Sequence, residues 1–185
     1  MTDPADLEYW NQVEDPRAAA WSDADWDQGI EDCLAQIMPW LPVRGRILDV
    51  GAGVGRLAIP IAERLPDVNV LAFEPSTRMF WDAPAAARVH WYTRWPEETV
   101  DAALIVTVLQ HLPHDRQAEL IAKTADRLTG GGTLIFQTVA GDADGPGSHH
   151  TNFRQVGEWC DRAGLKIIKS HLGAVRPGWL WTVAQ

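Results

Sequence analysis

The sequence predicts an α/β fold: a doubly wound, mostly parallel sheet with helices on both faces. Three observations carry that prediction. From Arg46 onward, short apolar runs of strand length alternate with stretches of helical periodicity, the pattern of repeated strand–helix–strand units. The run from Val100 to Val108 is almost continuously apolar, as a strand covered on both faces requires. The last two apolar runs, 166–171 and 179–183, come one after the other with no helix between them and close the sheet as a strand pair.

Before about Pro42 the chain reads as an arm with its own character. Leu7, Tyr9 and Trp10 form a short apolar patch, and Asp15-Pro16 punctuates it. Trp21, Trp26, Ile30, Cys33, Leu34 and Ile37 then recur at helical spacing, with Ser22 and Asp25 as a helix start. Pro39 and Pro42 stop this helix near Met38. The arm (1–42) serves either as a lid whose aromatics cover a ligand or as a packing helix.

The core spans 43–185. Ile47 to Val50 is a strand, and Val54 to about Leu65 a helix that carries Pro60 at some local cost. Asn69 to Phe73 is the second strand, Thr77 to about Ala83 a short helix, and Val89 to Tyr92 the third strand. After the apolar run at 100–108, Leu112-Pro113 opens a helix through about Leu128, stopped by Thr129-Gly130-Gly131-Gly132. Thr133 to Val139 is again strand. A loop rich in glycine and aspartate, Ala140 to Ser148, leads into a helix from about Asn152 to Ala163 before the closing strand pair. With 185 residues and 46% hydrophobic content, the whole chain is expected to form one domain.

Charge and cysteine usage narrow the function classes. A net charge of −9 gives no general attraction to phosphate backbones or anionic membrane surfaces, so neither nucleic acid nor membrane is an expected partner. The two cysteines, Cys33 and Cys160, lack metal-ligand spacing and read as buried thiols in a reducing compartment. The acidic start Met1-Thr2-Asp3-Pro4-Ala5-Asp6 is unlike a signal peptide, and a cytoplasmic location is expected.

The chemistry is organised around Arg46-Ile47-Leu48-Asp49-Val50-Gly51-Ala52-Gly53-Val54-Gly55-Arg56. A strand ends near a carboxylate, breaks into glycines at alternate positions and enters a helix, a turn in which backbone N–H groups and small residues admit a ligand closely. A dinucleotide fingerprint needs glycine at the first, third and sixth loop positions, and the sixth here is Arg56. The run Asp49-Val50-Gly51-Ala52-Gly53-Val54-Gly55 instead resembles the nucleotide loop of the class I S-adenosylmethionine-dependent methyltransferases, of the small-molecule type.

That resemblance implies a Rossmann-like fold whose closing strand pair is antiparallel, with S-adenosylmethionine as cofactor and S-adenosylhomocysteine as product. It places Asp49 under the methionine end, Gly51, Ala52 and Gly53 at the closest backbone approach, and Gly55 as a packing glycine. Glu74, at the end of the next strand, is where such enzymes hold the ribose hydroxyls. Pro75 and Met79 fit the segment after it. Where related enzymes often carry a Gly-Asp pair for adenine, this chain reads Tyr92-Thr93-Arg94-Trp95, so Trp91, Tyr92 or Trp95 would stack on the base instead.

The segment Thr107-Val108-Leu109-Gln110-His111-Leu112-Pro113 corresponds to the part of the family that faces the transferred methyl, with Thr107 and Gln110 as cofactor contacts. It has neither the Pro-Pro-aromatic signature nor the Pro-Cys nucleophile of base-modifying enzymes, which argues for a small-molecule acceptor. His111 is a candidate general base, with a structural hydrogen bond at a helix start as its plainer role. His150 is a second candidate base. The adjacent His149 and His150, with Asp142 and Asp144 nearby, would also suit a divalent metal as in catechol-type enzymes, but neighbouring histidines rarely point at one ion, and no metal is expected. The implied activity is methyl transfer to an oxygen or nitrogen of a small molecule. Alternatives are a non-catalytic cofactor-binding module of the same fold, a protein methyltransferase, or a nicotinamide-dependent oxidoreductase.

Overall fold

The computed structural model describes residues 11–12, 23–145, 148–173 and 178–185. Of the arm, Leu7, Tyr9, Trp10, Asp15, Pro16, Trp21 and Ser22 lie outside the described residues. Helix α1, Asp23–Ile37, has the predicted apolar stripe: Cys33, Leu34 and Ile37 are buried, and a short 3-10 turn at Met38–Trp40 ends it at the prolines. Glu31 on α1 pairs with Arg64 at 2.5 Å.

The chain divides into two compact units, one ending at Glu97 and one running from Glu98 to Gln185. The first holds β1 (Arg44–Val50), β2 (Asp67–Phe73) and β3 (Val89–Tyr92), all parallel, in the order β3-β2-β1. Its helices are α1, α2 (Ala58–Arg64) and α3 (Thr77–Asp82). Strand register positions the two loops of this unit. Val50 lies opposite Phe73, so the glycine loop after β1 and Glu74 after β2 leave the sheet side by side.

The second unit contains β4 (Val100–Ile105), α4 (His114–Ala125), β5 (Leu128–Ala140), β6 (His150–Thr151), α5 (Phe153–Arg162), β7 (Ile167–Leu172) and β8 (Trp179–Ala184). Its strands run in the order β4-β5-β8-β7. β4 and β5 are parallel, whereas β8 is antiparallel to both β5 and β7. The sheet is therefore mostly parallel with an antiparallel C-terminal pair, as the sequence predicted. Ala102 to Ile105 are fully buried, which is why that run shows no polar alternation.

Several boundaries differ from the sequence reading, each for a local reason. Residues 51–57 form turns and α2 begins only at Ala58, which puts Pro60 in the first helical turn, where a missing N–H costs nothing. β4 ends at Ile105 because Thr107 adopts a φ of 60° and redirects the chain. Gly130–Gly132 do not stop a helix. They loop out within β5, between the pairs Val100–Leu128 and Ala102–Thr133. The two-residue strand β6, parallel to the end of β5, had no sequence signal because it is too short for periodicity.

Cys33 and Cys160 are both buried, and burial pushes the Cys160 thiol up to about 11, so it is not a ready nucleophile. Among the described residues no helix is long and apolar enough to cross a membrane.

Candidate functional site

In the first unit the glycine loop and Glu74 form one hydrogen-bonded construction. The Gly51 and Ala52 N–H groups both donate to the Phe73 carbonyl, at 2.8 and 3.0 Å, fastening the loop to the end of β2. Glu74 is 7% exposed; its Oε2 accepts from the Gly53 N–H at 2.8 Å and its Oε1 from the Ser76 N–H at 2.7 Å. Burial raises the Glu74 carboxyl above its usual range, and these two N–H donors counter that effect. Each carboxylate oxygen keeps a second lone pair, so the group can still accept from a ligand's hydroxyls.

Gly53 and Gly55 do different work. Both have positive φ, 57° and 90°. A Cβ on Gly53 would meet nothing within 4 Å, so its backbone faces open space that a ligand can fill. A Cβ on Gly55 would lie 2.7 Å from Ile59 Cδ1 and 3.2 Å from Trp91 Cη2, so this glycine lets α2 pack. Gly55→Ala should therefore lower stability by about 2–4 kcal/mol in urea titration, from strain and overpacking. Gly53→Ala should cost only about 1 kcal/mol, from the left-handed φ. Equal losses of stability in the two variants would contradict this division.

Asp49 is 3% exposed. Burial pushes its carboxyl up to about 7, the Arg56 guanidinium pulls it down, Glu74 raises it, and the Ala58 N–H lowers it by hydrogen bonding. It thus ties the loop to the start of α2 and holds a carboxylate that a nearby cation would favour. Ser76, buried, caps α3 by accepting from the Met79 N–H at 3.2 Å, and Met79 is buried behind it. Ser76 Oγ donates to Asn11 Oδ1 at 3.0 Å, which brings the arm to the residues after Glu74. Pro75 lies between Glu74 and Ser76, outside any helix or strand. The indole of Trp91 packs toward Gly55, and its buried Nε1 has no hydrogen-bond partner among the described residues. Tyr92 contributes its carbonyl to the Glu74 N–H at 2.9 Å, and Trp95 stacks edge-on against Phe73, with centroids 5.1 Å apart.

The second unit holds His111, His114, His149 and His150. Thr107 sits in the left-handed region and its N–H donates to Gln137 Oε1 at 3.0 Å, a strained residue held in place by a buried amide. Gln110 and His111 come next, on a 3-10 turn, Leu109–His111. The side-chain Oε1 of Gln110 is buried without a partner among the described residues. Burial lowers the His111 pKa, which favours the neutral imidazole.

The loop after β5 is strapped to this turn. The His149 N–H donates to the Gln110 carbonyl at 2.8 Å, and His114 Nε2 donates to the His150 carbonyl at 2.7 Å. The fully buried Gln117 accepts from Thr151 Oγ1 at 3.1 Å and donates to the Leu112 carbonyl at 2.8 Å. Asn152 and Gln155 form a reciprocal cap on α5. The two adjacent histidines turn to different partners: His149 Nδ1 meets Asp144 Oδ2 at 2.8 Å, and His150 Nε2 meets Ser148 Oγ at 2.9 Å. The His150 ring also lies against Gly141 and Gly145, where an added Cβ would come within 2.7 and 2.8 Å of its nitrogens. His150 is thus occupied in shaping the loop. Sequence reasoning did not single out the His149–Asp144 pair or Asn11 as a contact, because their positions depend on loop closure and on a contact across many residues.

Comparison with known proteins gives concordant results. A family model described as a methyltransferase domain matches residues 20–171. Trans-aconitate 2-methyltransferase of Streptomyces coelicolor is 32% identical over 151 residues, covering 71% of this chain and 46% of that protein. The chain spans less than half the length of the curated relatives it matches. Among solved structures, magnesium protoporphyrin IX methyltransferase from Synechocystis, with S-adenosylmethionine bound, aligns over 97% of this chain and 94% of its own with a TM-score of 0.77 at 16% identity. A Leishmania major S-adenosylmethionine-dependent methyltransferase aligns over 97% of this chain and 81% of its own, with a TM-score of 0.78 at 21% identity. At these identities the likeness establishes the fold.

Proposed function

The chain belongs to the methyltransferase-domain family, and from that premise we propose that it binds S-adenosylmethionine and transfers its methyl group to an oxygen or nitrogen of a small molecule. The observation that carries this reading is Glu74, whose carboxylate is fixed by the Gly53 and Ser76 N–H groups beside the open face of Gly53. The spare lone pairs of Glu74 suit the ribose diol. Gly51, Ala52 and Gly53 give close backbone approach, and Asp49 matches the positive charge of the methionine end. Pro75 and Met79 shape the wall after Glu74, and the orphaned Trp91 N–H and the Tyr92 ring serve the base. When bound, the cofactor supplies an activated methyl on a sulfonium, so the protein's task is chiefly alignment.

The cofactor in the Synechocystis structure and the small-molecule acceptors named in both it and the Streptomyces relative support this reading. The family match runs across both compact units, which supports their acting as one methyltransferase domain. The Asn11–Ser76 contact supports the arm as a lid over the cofactor. His111, buried and neutral, is suited to take a hydrogen bond or a proton from the acceptor.

Native mass spectrometry of the purified chain tests the reading. S-adenosylmethionine or S-adenosylhomocysteine should be found as the released ligand or be taken up one per chain when supplied. Uptake of a nicotinamide cofactor in their place would refute it.

A further inference from the structure

We propose that Asn11 of the arm is a further cofactor-binding residue, whose carboxamide donates a hydrogen bond to a ribose hydroxyl that gives its own hydrogen to Glu74. This rests on the methyl-transfer reading above. Both residues lie in the compact unit that ends at Glu97.

The groups around the carboxamide fix which way it is turned. Asn11 Oδ1 accepts from Ser76 Oγ at 3.0 Å, from Thr77 Oγ1 at 3.3 Å and from the Arg78 N–H at 3.4 Å. A backbone N–H can only donate, so the atom that faces the start of α3 is the oxygen and not the NH2. Ser76 Oγ accepts from the Met79 N–H at 3.2 Å, so its own hydrogen is the one given to Asn11. The NH2 of Asn11 is left pointing away from these three donors. Its hydrogens are uncommitted among the described residues, and Asn11 is exposed.

Glu74 gives these hydrogens a ligand. The Ser76 that donates to Asn11 through Oγ also donates its N–H to Glu74 Oε1 at 2.7 Å, so the carboxamide and the carboxylate are joined through one residue. Glu74 Oε2 is held by the Gly53 N–H, beside the open face of that glycine. A carboxylate takes the hydrogen of a ligand hydroxyl and leaves the hydroxyl oxygen with two lone pairs and no donor. Asn11 supplies that donor, while its own oxygen stays with α3. The pair therefore reads a hydroxyl in both directions, as donor to Glu74 and as acceptor from Asn11. A ligand with hydrogen in place of that hydroxyl leaves both protein groups without a partner.

The test is calorimetric titration of the parent, Asn11→Asp and Asn11→Ala with S-adenosylhomocysteine and with its 2′-deoxy and 3′-deoxy forms. Asn11→Asp keeps an oxygen for the three donors at α3 and removes the NH2. Its melting temperature should match the parent's, while its affinity for S-adenosylhomocysteine falls by about tenfold. Asn11→Ala should fall at least as far. With at least one of the deoxy ligands the gap between parent and Asn11→Asp should close. In 15N-labelled parent protein the side-chain amide protons of Asn11 should shift when S-adenosylhomocysteine is added. Unchanged affinity in Asn11→Asp, the same gap with all three ligands, or unmoved Asn11 amide protons would each overturn the proposal. Failure of S-adenosylhomocysteine to bind the parent would instead overturn the methyl-transfer reading beneath it.

Discussion

Glu74→Ala is expected to weaken S-adenosylhomocysteine binding by about 100-fold or more, close to 3 kcal/mol. Two losses add. The ribose hydroxyls lose their charged acceptor, and hydrogen bonds to charged groups contribute roughly 1.5–3 kcal/mol. The Gly53 and Ser76 N–H groups also lose the oxygens that hold them at 2.8 and 2.7 Å, so the loop is no longer arranged before the ligand arrives. For the second reason stability should also fall, by about 2 kcal/mol in urea titration. Glu74→Gln keeps one acceptor but turns an amide NH2 toward one of the two backbone donors, and should lie between. Calorimetric titration of the three proteins decides the point: near-equal affinities would show that Glu74 is a loop brace with no ligand role.

Asp49→Asn is expected to stabilise the free protein above neutral pH while weakening its hold on the cofactor. The Asp49 carboxyl is raised from 3.8 to about 7 in the fold, so the folded state binds more protons than the unfolded chain between those values. Its contribution is favourable below pH 4 and is lost as pH climbs through 7, reaching a cost on the order of 4 kcal/mol once fully ionised. Asparagine retains an acceptor for the Ala58 N–H and removes that cost. The melting temperature of the variant relative to the parent should therefore rise between pH 5 and pH 8. Binding runs the other way, because a cationic ligand favours the carboxylate. S-adenosylmethionine affinity of the parent should improve by about tenfold from pH 6 to pH 8, and the asparagine variant should show no such gain. A parallel pH dependence in the two proteins would place Asp49 away from the ligand's charge.

Much of this was legible in the sequence because it is local. A strand end, alternate glycines and a helix start occupy consecutive residues, and Glu74 falls one strand later in a parallel pair whose register is set by Val50 facing Phe73. The separate roles of Gly53 and Gly55 come from the same grammar. What the sequence withheld depends on closure over distance. That His149 and His150 turn to different partners is decided by Asp144 and Ser148 bending the loop after β5 back on itself. The turn of Thr107 to positive φ is enforced by Gln137, thirty residues away, and nothing in a run of apolar residues announces it. The arm's contact through Asn11 is equally remote, since its partner Ser76 is 65 positions on.

The central claim is that the Asp49–Gly55 loop and Glu74 bind S-adenosylmethionine and its product. Calorimetric titration of the intact chain with S-adenosylhomocysteine measures this most directly. The account predicts one site per chain that Glu74→Ala disables and that NAD fails to occupy. Absence of binding heat across buffers, with the protein shown folded by its cooperative melting, would contradict it.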